Sequence, residues 1–160
     1  RVAPPRPPHL RALFAREEVP DNYTVDFVES DTNYVPAFLD DDWVVFLRRE
    51  GPMARLADSL GYRRLPASYR GMKALGDTVM ANPAMRPALR AELERSVRDS
   101  KRAGHAHSLL ANLAMLEGRW ADAVRELAAV RAIQPRMPGL PQRERQAADS
   151  LAAAGSAVRR

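Results

Sequence analysis

The chain of 160 residues contains no cysteine, which excludes disulfide bridges, zinc sites with thiolate ligands and thiol nucleophiles. No uninterrupted apolar run reaches the length of about 18 residues that spans a bilayer. Lysine is scarce, since Lys73 and Lys101 are the only two among 25 basic residues. The first residue is Arg1 rather than methionine, so we expect a processed chain or a piece of a longer one.

Sequence motifs of catalysis are missing as well. The chain has no glycine-rich dinucleotide loop, P-loop, GxSxG or HExxH motif. Tyr69 and Lys73 share the YxxxK spacing of short-chain dehydrogenases, but that chemistry requires a dinucleotide fold. His105 and His107 lie two positions apart on a predicted helix, so they face different directions and do not chelate one metal. We therefore expect no enzymatic activity, no cofactor and no metal site.

Charge is distributed unevenly along the chain. Residues 1–60 contain 7 basic and 11 acidic groups, a net charge of −4, whereas residues 61–160 contain 18 and 9, a net charge of +9. Nine carboxylates and no lysine or arginine lie between Glu17 and Leu47. Three readings stay open: the acidic part packs on the basic part, both bind partners, or both are solvated surfaces.

The first third of the chain is predicted to be a small acidic α/β segment. Residues 1–8 are rich in proline and predict an extended tether, and residues 9–18 predict a short helix. Enrichment in valine, phenylalanine and tryptophan predicts strands over residues 24–29 and 43–48. Residues 34–39, between them, are expected to form a helical turn.

After Gly51 and Pro52 the sequence predicts helices only. The spacing of apolar residues, with glycine or proline at helix ends, predicts helices at residues 53–60, 70–81, 86–102, 105–117, 120–133 and 141–154. We expect the second of these to pair with the third and the fourth with the fifth, with the last as a terminal cap. The predicted fold class is mainly α, with helical hairpins preceded by an α/β segment that contains two short strands.

Residues 104–135 carry the most specific pattern of the chain. Apolar residues recur at steps of three and four on two helices, Gly118 suits the turn between them, and Pro135 ends the second. Five residues also lie on positions of the 34-residue tetratricopeptide repeat: Leu110, Ala111, Ala123, Leu127 and Pro135. The segment therefore resembles that repeat. An ordinary antiparallel helix pair within another helical domain is the alternative.

The resemblance implies a partner-binding groove lined by the first helix of the hairpin. Its candidate binding residues are His105, Ser108, Asn112 and Met115, with Arg98 and Arg102 nearby from the preceding helix. Asn112 matches the asparagine with which peptide-binding members contact a backbone, whereas the lysines that clamp a terminal carboxylate are absent. In the alternative reading, these six are ordinary polar surface residues.

The predicted order of strand, short helix and strand ending in FLRREGP, within residues 20–65, resembles the extracytoplasmic tail domain of bacterial membrane glycosyltransferases. The expected domains are therefore a tether at 1–8, an acidic α/β segment at 9–65 and a tetratricopeptide-like helical domain at 66–160. We expect an extracytoplasmic, membrane-associated scaffold or accessory subunit that binds proteins within a larger complex, with an anionic membrane surface as a further partner. The alternatives are the tail of a membrane glycosyltransferase and a nucleic-acid-binding module, the latter disfavoured because carboxylates interleave with the arginines.

Overall fold

A computed structural model describes residues 14–15 and 23–158 of the chain. The chain divides into two compact units, Arg1–Met85 and Arg86–Arg160. The second unit begins at residue 86, whereas the predicted helical domain begins at residue 66. The predicted fold class is confirmed, because the structure is mainly helical and a small antiparallel sheet precedes most of the helices.

The sheet of the first unit has three strands, β1 (Phe14–Ala15), β2 (Tyr34–Leu39) and β3 (Val44–Arg48). The strand order is β1-β3-β2, and both pairs are antiparallel. β2 and β3 form a hairpin whose turn is built on an aspartate. The Asp40 carboxylate accepts hydrogen bonds from the backbone N–H groups of Asp42 at 2.9 Å and Trp43 at 2.8 Å. The run of three aspartates thus has a local structural role.

Two predictions for this region were wrong. Residues 24–29 belong to a helix, α1 (Tyr23–Ser30), in which Val25 and Val28 are buried three positions apart and Phe27 is 75% exposed. Residues 34–39 form β2 rather than a helical turn, and Pro36 is tolerated because β2 is an edge strand with an irregular register between Pro36 and Phe38.

The first eighteen residues are mostly outside the described part of the chain. The predicted tether at 1–8 lies wholly outside it, and so does the predicted helix at 9–18 except for residues 14–15. Those two residues are strand β1, opposite Val45 and Val44, so the helix prediction was wrong at that point.

A short helix covers one face of the sheet. α2 (Ala54–Leu60) follows a 3-10 turn, Gly51–Met53, and its Ala57 packs with Val35 and Leu47 in a small core. The chain returns to the sheet at once, because the Tyr62 N–H donates to the Pro36 carbonyl at 2.7 Å. Gly61 permits this approach, since a Cβ atom there would lie 2.7 Å from a methyl group of Val35.

A carboxylate of α1 holds the start of the next helix, α3 (Tyr69–Ala81). Glu29 accepts hydrogen bonds from the backbone N–H of Ala67 at 2.5 Å, from the N–H of Ser68 at 3.2 Å, and from the Ser68 hydroxyl. Ser68 is the N-cap of α3, and its Oγ accepts from the Gly71 N–H at 3.0 Å. Negative charge at this end is also favourable for the helix dipole.

The second unit contains four helices, α4 (Arg86–Asp99), α5 (Gly104–Leu116), α6 (Trp120–Ile133) and α7 (Leu140–Val158). Each packs on the next in chain order. Gly118 has a φ of 68° in the three-residue turn that joins α5 and α6, as the sequence predicted. The expected pairing of residues 70–81 with 86–102 joins α3 to α4, and these helices belong to different units.

The core of the second unit is made of small and medium apolar side chains from three helices. The side chains of this cluster are almost completely buried, and they are Ala111, Ala114, Ala123, Leu127, Val130, Leu140 and Ala147. Alanines on α5 and α6 allow the two helices to approach closely, and leucines fill the space beside them. α7 contributes Leu140 and Ala147 to this core, so its first half packs against the hairpin of α5 and α6.

Candidate functional site

The six predicted binding residues occupy different environments. His105 and Asn112 are exposed on α5, whereas Ser108 on the same helix is only 8% exposed and Met115 packs against the core. The two remaining residues are exposed near the α4–α5 connection, Arg98 on α4 and Arg102 in the turn that follows it. The structure therefore keeps two of the predicted α5 residues accessible and uses the other two in packing.

Ser108 and Asn112 are brought together by a residue of α7 that the sequence analysis did not select. Arg143 donates from Nη1 to Ser108 Oγ at 2.7 Å and to Asn112 Oδ1 at 3.4 Å. Its Nη2 donates to Met137 Sδ at 3.1 Å. The guanidinium thus lies over the polar face of α5, and all three of its hydrogen-bond partners are uncharged. We call Arg143, Ser108, Asn112 and Met137 the Arg143 cluster.

His105 has a separate contact at the same end of the hairpin. Gln134, the residue that follows α6, places Nε2 at 3.3 Å from His105 Nδ1. His105 is therefore held near the α6 terminus, and no hydrogen bond among those described joins it to the Arg143 cluster. The four α5 candidates thus form a line along one helix rather than a closed pocket.

Among the contacts described, three arginines near the α5–α6 turn have carboxylate partners. Arg90 on α4 and Arg119 both bond to Glu117, the latter from Nε at 2.9 Å. Arg119 also reaches Asp122 at 2.5 Å, and Arg125 reaches Asp122 at 2.7 Å. Burial opposes ionisation of Glu117, but hydrogen bonds from Arg119 and Arg90 lower its pKa below the ordinary value. Arginine and carboxylate charges therefore largely cancel along this chain of contacts.

Two more side-chain pairs join neighbouring helices. Arg131 on α6 donates from Nε to Glu144 on α7 at 2.6 Å and makes a second contact from Nη2. His107 on α5 lies with Nδ1 2.8 Å from Glu126 Oε2 on α6. The hydrogen bond from His107 lowers the pKa of Glu126, with burial opposing it and Arg125 adding to the decrease.

The signal that could have singled out Arg143 is its distance along the chain. It follows Ser108 by 35 residues, close to the 34-residue period of the repeat. A repeat unit that begins again at α7 would place Arg143 beside Ser108 on adjacent first helices. Residues 141–154 were predicted only as a terminal cap, so none of their polar residues was among the predicted binding residues.

Other kinds of site find no support in the described part of the chain. Within residues 14–15 and 23–158, no cluster of three or more histidine, aspartate or glutamate side chains could hold a metal ion. Among the same residues, no helix is both long and apolar enough to cross a membrane. No protein family, no curated protein and no solved structure matches the chain.

Proposed function

We propose that this protein is a non-enzymatic interaction subunit, a scaffold or accessory component of a larger complex. Its helical unit binds a protein partner on the face formed by α5 and the first half of α7. The observation that carries the proposal is the environment of Arg143, which is held over Ser108 and Asn112 by uncharged groups alone.

The contrast with the other arginines supports a role in binding. Arg90, Arg119, Arg125 and Arg131 bond to carboxylates that compensate their charge. Arg143 is half-buried, and none of the described carboxylates lies within ion-pair distance of it. Partial burial of a cation among neutral groups is unfavourable for stability, so we interpret this charge as retained for a ligand.

The same ion pairs count against the nucleic-acid alternative. Affinity for a phosphate backbone depends on how many uncompensated cations converge on one surface. In the helical unit most of the arginines with described contacts are neutralised by glutamate or aspartate within the structure. A protein partner needs only one or two well-placed charges and is therefore the better fit.

Site-directed cross-linking tests the proposal. Because the chain has no cysteine, Asn112→Cys introduces a single attachment point for a photo-cross-linker on the proposed face. Ala128→Cys, at an exposed position of α6, is the matched control. In extracts of the source cells we expect a discrete protein to be captured from position 112 and not from position 128.

The captured protein must then bind the purified wild-type chain with saturable affinity. Equal capture from both positions, or saturable binding that is unaffected by a bulky substitution such as Asn112→Trp, would contradict the proposal. Failure to capture any protein from position 112 would also count against it.

A further inference from the structure

Helix α3 carries an exposed strip of residues that its own packing does not use. Tyr69, Gly76 and Met80 lie on one line along the helix, because steps of seven and eleven residues are close to whole numbers of turns. Tyr69 is 53% exposed and Met80 is 59% exposed, whereas Leu75 and Val79, on the adjacent side of α3, are buried. The apolar side of this helix is therefore wider than the side that the fold buries.

Gly76 lies between the two large residues of the strip and makes no close contact in the described part of the chain. A Cβ atom at this position would meet no atom within 4 Å, and the glycine does not have a positive φ. Glycine is less favourable than alanine in the middle of a helix, but it allows another backbone to approach closely. The strip thus combines two large side chains with a central position where a second helix can come near.

Two opposite charges lie beside the strip. Lys73 and Asp77 are exposed one turn apart on the same flank of α3, and neither belongs to the side-chain pairs found within residues 14–15 and 23–158. In a single helix, a lysine that precedes its acidic partner by four residues has the less favourable of the two orientations. Opposite charges on a second helix can compensate both groups.

The pattern of this flank and strip is self-complementary about one point. A twofold axis at right angles to α3 at position 75 places each residue opposite the one equally far on the other side. Lys73 of one copy then lies opposite Asp77 of the other, and Tyr69 lies within one residue of the position opposite Met80. The thioether and the ring make a favourable contact. A parallel pair would instead place lysine beside lysine.

We infer that α3 is a self-association surface, on which a second copy of this chain packs its own α3 in the antiparallel direction, with Gly76 of both copies near the twofold axis. The inference goes beyond the proposed function, since the proposed partner face belongs to α5 and α7 in the other unit. With 13 residues, α3 is about 20 Å long and buries less than the roughly 800 Å² per partner of a stable interface. The dimer should therefore be weak and reversible.

A disulfide across the twofold axis tests the arrangement directly. The chain has no cysteine, and at a close helix crossing the two Gly76 Cα atoms would lie about 5 Å apart, within the range of a disulfide. Under mild oxidation, Gly76→Cys should form a linked dimer at least about tenfold faster than Ala74→Cys, which is exposed on the opposite side of α3. Non-reducing electrophoresis measures both rates, and equal rates would overturn the inference.

Sedimentation equilibrium of the full chain, from micromolar to millimolar concentration, measures the association itself. We expect the mass to rise from one chain towards two. Gly76→Arg places two like charges at the crossing and should weaken the dimer at least about tenfold, whereas the single chain has room for the side chain. Gly155→Arg is the matched control, because Gly155 also lies within a helix and has nothing within 4 Å of its Cβ position. It should change the dissociation constant less than about twofold.

Exchange of the flanking charges tests the antiparallel pairing. Lys73→Asp and Asp77→Lys each place like charges opposite one another, so each should weaken self-association about threefold at low salt. An equimolar mixture of the two variants contains both opposite-charge pairs again and should associate about as strongly as the wild-type chain. Recovery in the mixture also shows that both variants are folded. No recovery in the mixture would contradict the antiparallel arrangement.

The outcomes distinguish a second copy from other occupants of the strip. A chain that stays monomeric up to millimolar concentration would overturn the inference, as would an unchanged dissociation constant in Gly76→Arg. Binding of a different protein through Gly76 by a monomeric chain would assign the strip to that protein and would likewise overturn it. Capture from Asn112→Cys concerns only the face of α5 and α7, so the failure of either proposal leaves the other standing.

Discussion

The two units of this protein hold their elements together by different means. Among the contacts described for the sheet unit, the carboxylate of Glu29 bonds with the backbone at the start of α3. In the helical unit, side-chain pairs such as Arg131–Glu144 and His107–Glu126 cross from one helix to the next. The sheet unit also leaves more large apolar side chains exposed, among them Phe27, Trp43, Leu56 and Leu60.

The difference indicates which unit depends more on its surroundings. The helical unit buries Leu127, Val130 and Leu140 completely in one core. The sheet unit also buries apolar side chains, among them Val35, Phe46 and Tyr62. Because both units bury apolar side chains, the large apolar side chains left exposed on the sheet unit are what indicate that it depends more on its surroundings. Four experiments test or refine this contrast.

The largest effect should come from the core of the helical unit. Leu127→Ala removes a fully buried side chain and should lower the free energy of unfolding by about 2–5 kcal/mol. Because Trp43 and Trp120 are the only two tryptophans, a Trp43→Phe background leaves Trp120 to report on this unit in urea titrations. Leu116→Ala, at a residue that is 44% exposed, is the control and should cost less than about 1 kcal/mol. Similar losses of stability in the two variants would show that Leu127 does not belong to the core of this unit.

The next effect should come from the carboxylate of the sheet unit. Glu29→Gln removes a charged acceptor from the Ala67 and Ser68 donors and should destabilise this unit by about 1–3 kcal/mol. A Trp120→Phe background isolates the Trp43 signal, and hydrogen exchange at the Ala67 and Ser68 amides should accelerate. Glu50→Gln, at an exposed residue beside Arg48, should cost less than about 0.5 kcal/mol. Unchanged exchange at Ala67 in the Glu29 variant would refute the assigned role.

Acidification should affect the ion pairs of the helical unit. The pKa of Glu126 is lowered in the fold, chiefly by His107, so its contribution is present above the unfolded-state pKa of about 4.3. That contribution is lost as the pH falls through the lowered value. Glu126→Gln should cost about 0.5–1 kcal/mol at neutral pH and should flatten the acid limb of a stability-against-pH curve. Glu117 and Glu144 also have lowered pKa values. Part of the loss of stability at low pH will therefore remain in the variant.

An unaltered acid limb in Glu126→Gln would show that the other carboxylates account for all of it. Ala128→Gln, at an exposed position of the same helix, serves as a control for the introduction of a glutamine side chain.

The smallest change in stability should follow from the exposed face of α2. Leu56 and Leu60 lie four residues apart and are 44% and 43% exposed. The double substitution Leu56→Ser with Leu60→Ser should change the unfolding free energy by no more than about 1 kcal/mol. Circular dichroism and urea titration in the Trp120→Phe background will measure it. A loss of stability comparable to that of Glu29→Gln would mean that Leu56 and Leu60 are covered by other parts of the chain. The two units would then differ less in exposed apolar side chains.

The helices of the second unit could be predicted because each is long enough for its apolar period to repeat. Gly118 and Pro135 mark the hairpin, and α6 was predicted at its observed bounds, Trp120–Ile133. α1 has only eight residues, and Val25 and Val28 are buried while Phe27 faces outward. Its valines and phenylalanine resemble a strand by composition, and so short a segment gives too few periods to decide between the two.

β2 was missed for a different reason. Pro36 cannot donate to a strand ladder, and a proline is therefore unfavourable in a central strand. The rule holds for central strands, whereas β2 lies at the edge of the sheet and has an irregular register beside this residue. Edge position is a property of the assembled sheet and cannot be read from the segment alone.

The candidate site was predicted only in part for a related reason. The resemblance to the tetratricopeptide repeat suggested positions on the first helix of the hairpin, and of these Asn112 and His105 are exposed on α5. It does not indicate which residue of another helix arrives above them. That Arg143 bonds to Ser108 depends on where α7 docks, which the core residues Leu140 and Ala147 determine.

The dependence of the site on α7 has a consequence for how binding could be switched off. Cleavage at the exposed Gly139, which has a φ of 73° in the connection before α7, would leave His105, Ser108 and Asn112 on an intact α5. It would release the guanidinium that this face requires, and it would uncover Ala111 and Val130 at the same time. A single proteolytic cut would therefore replace the proposed binding face with an exposed hydrophobic surface, a feature that cellular quality control recognises.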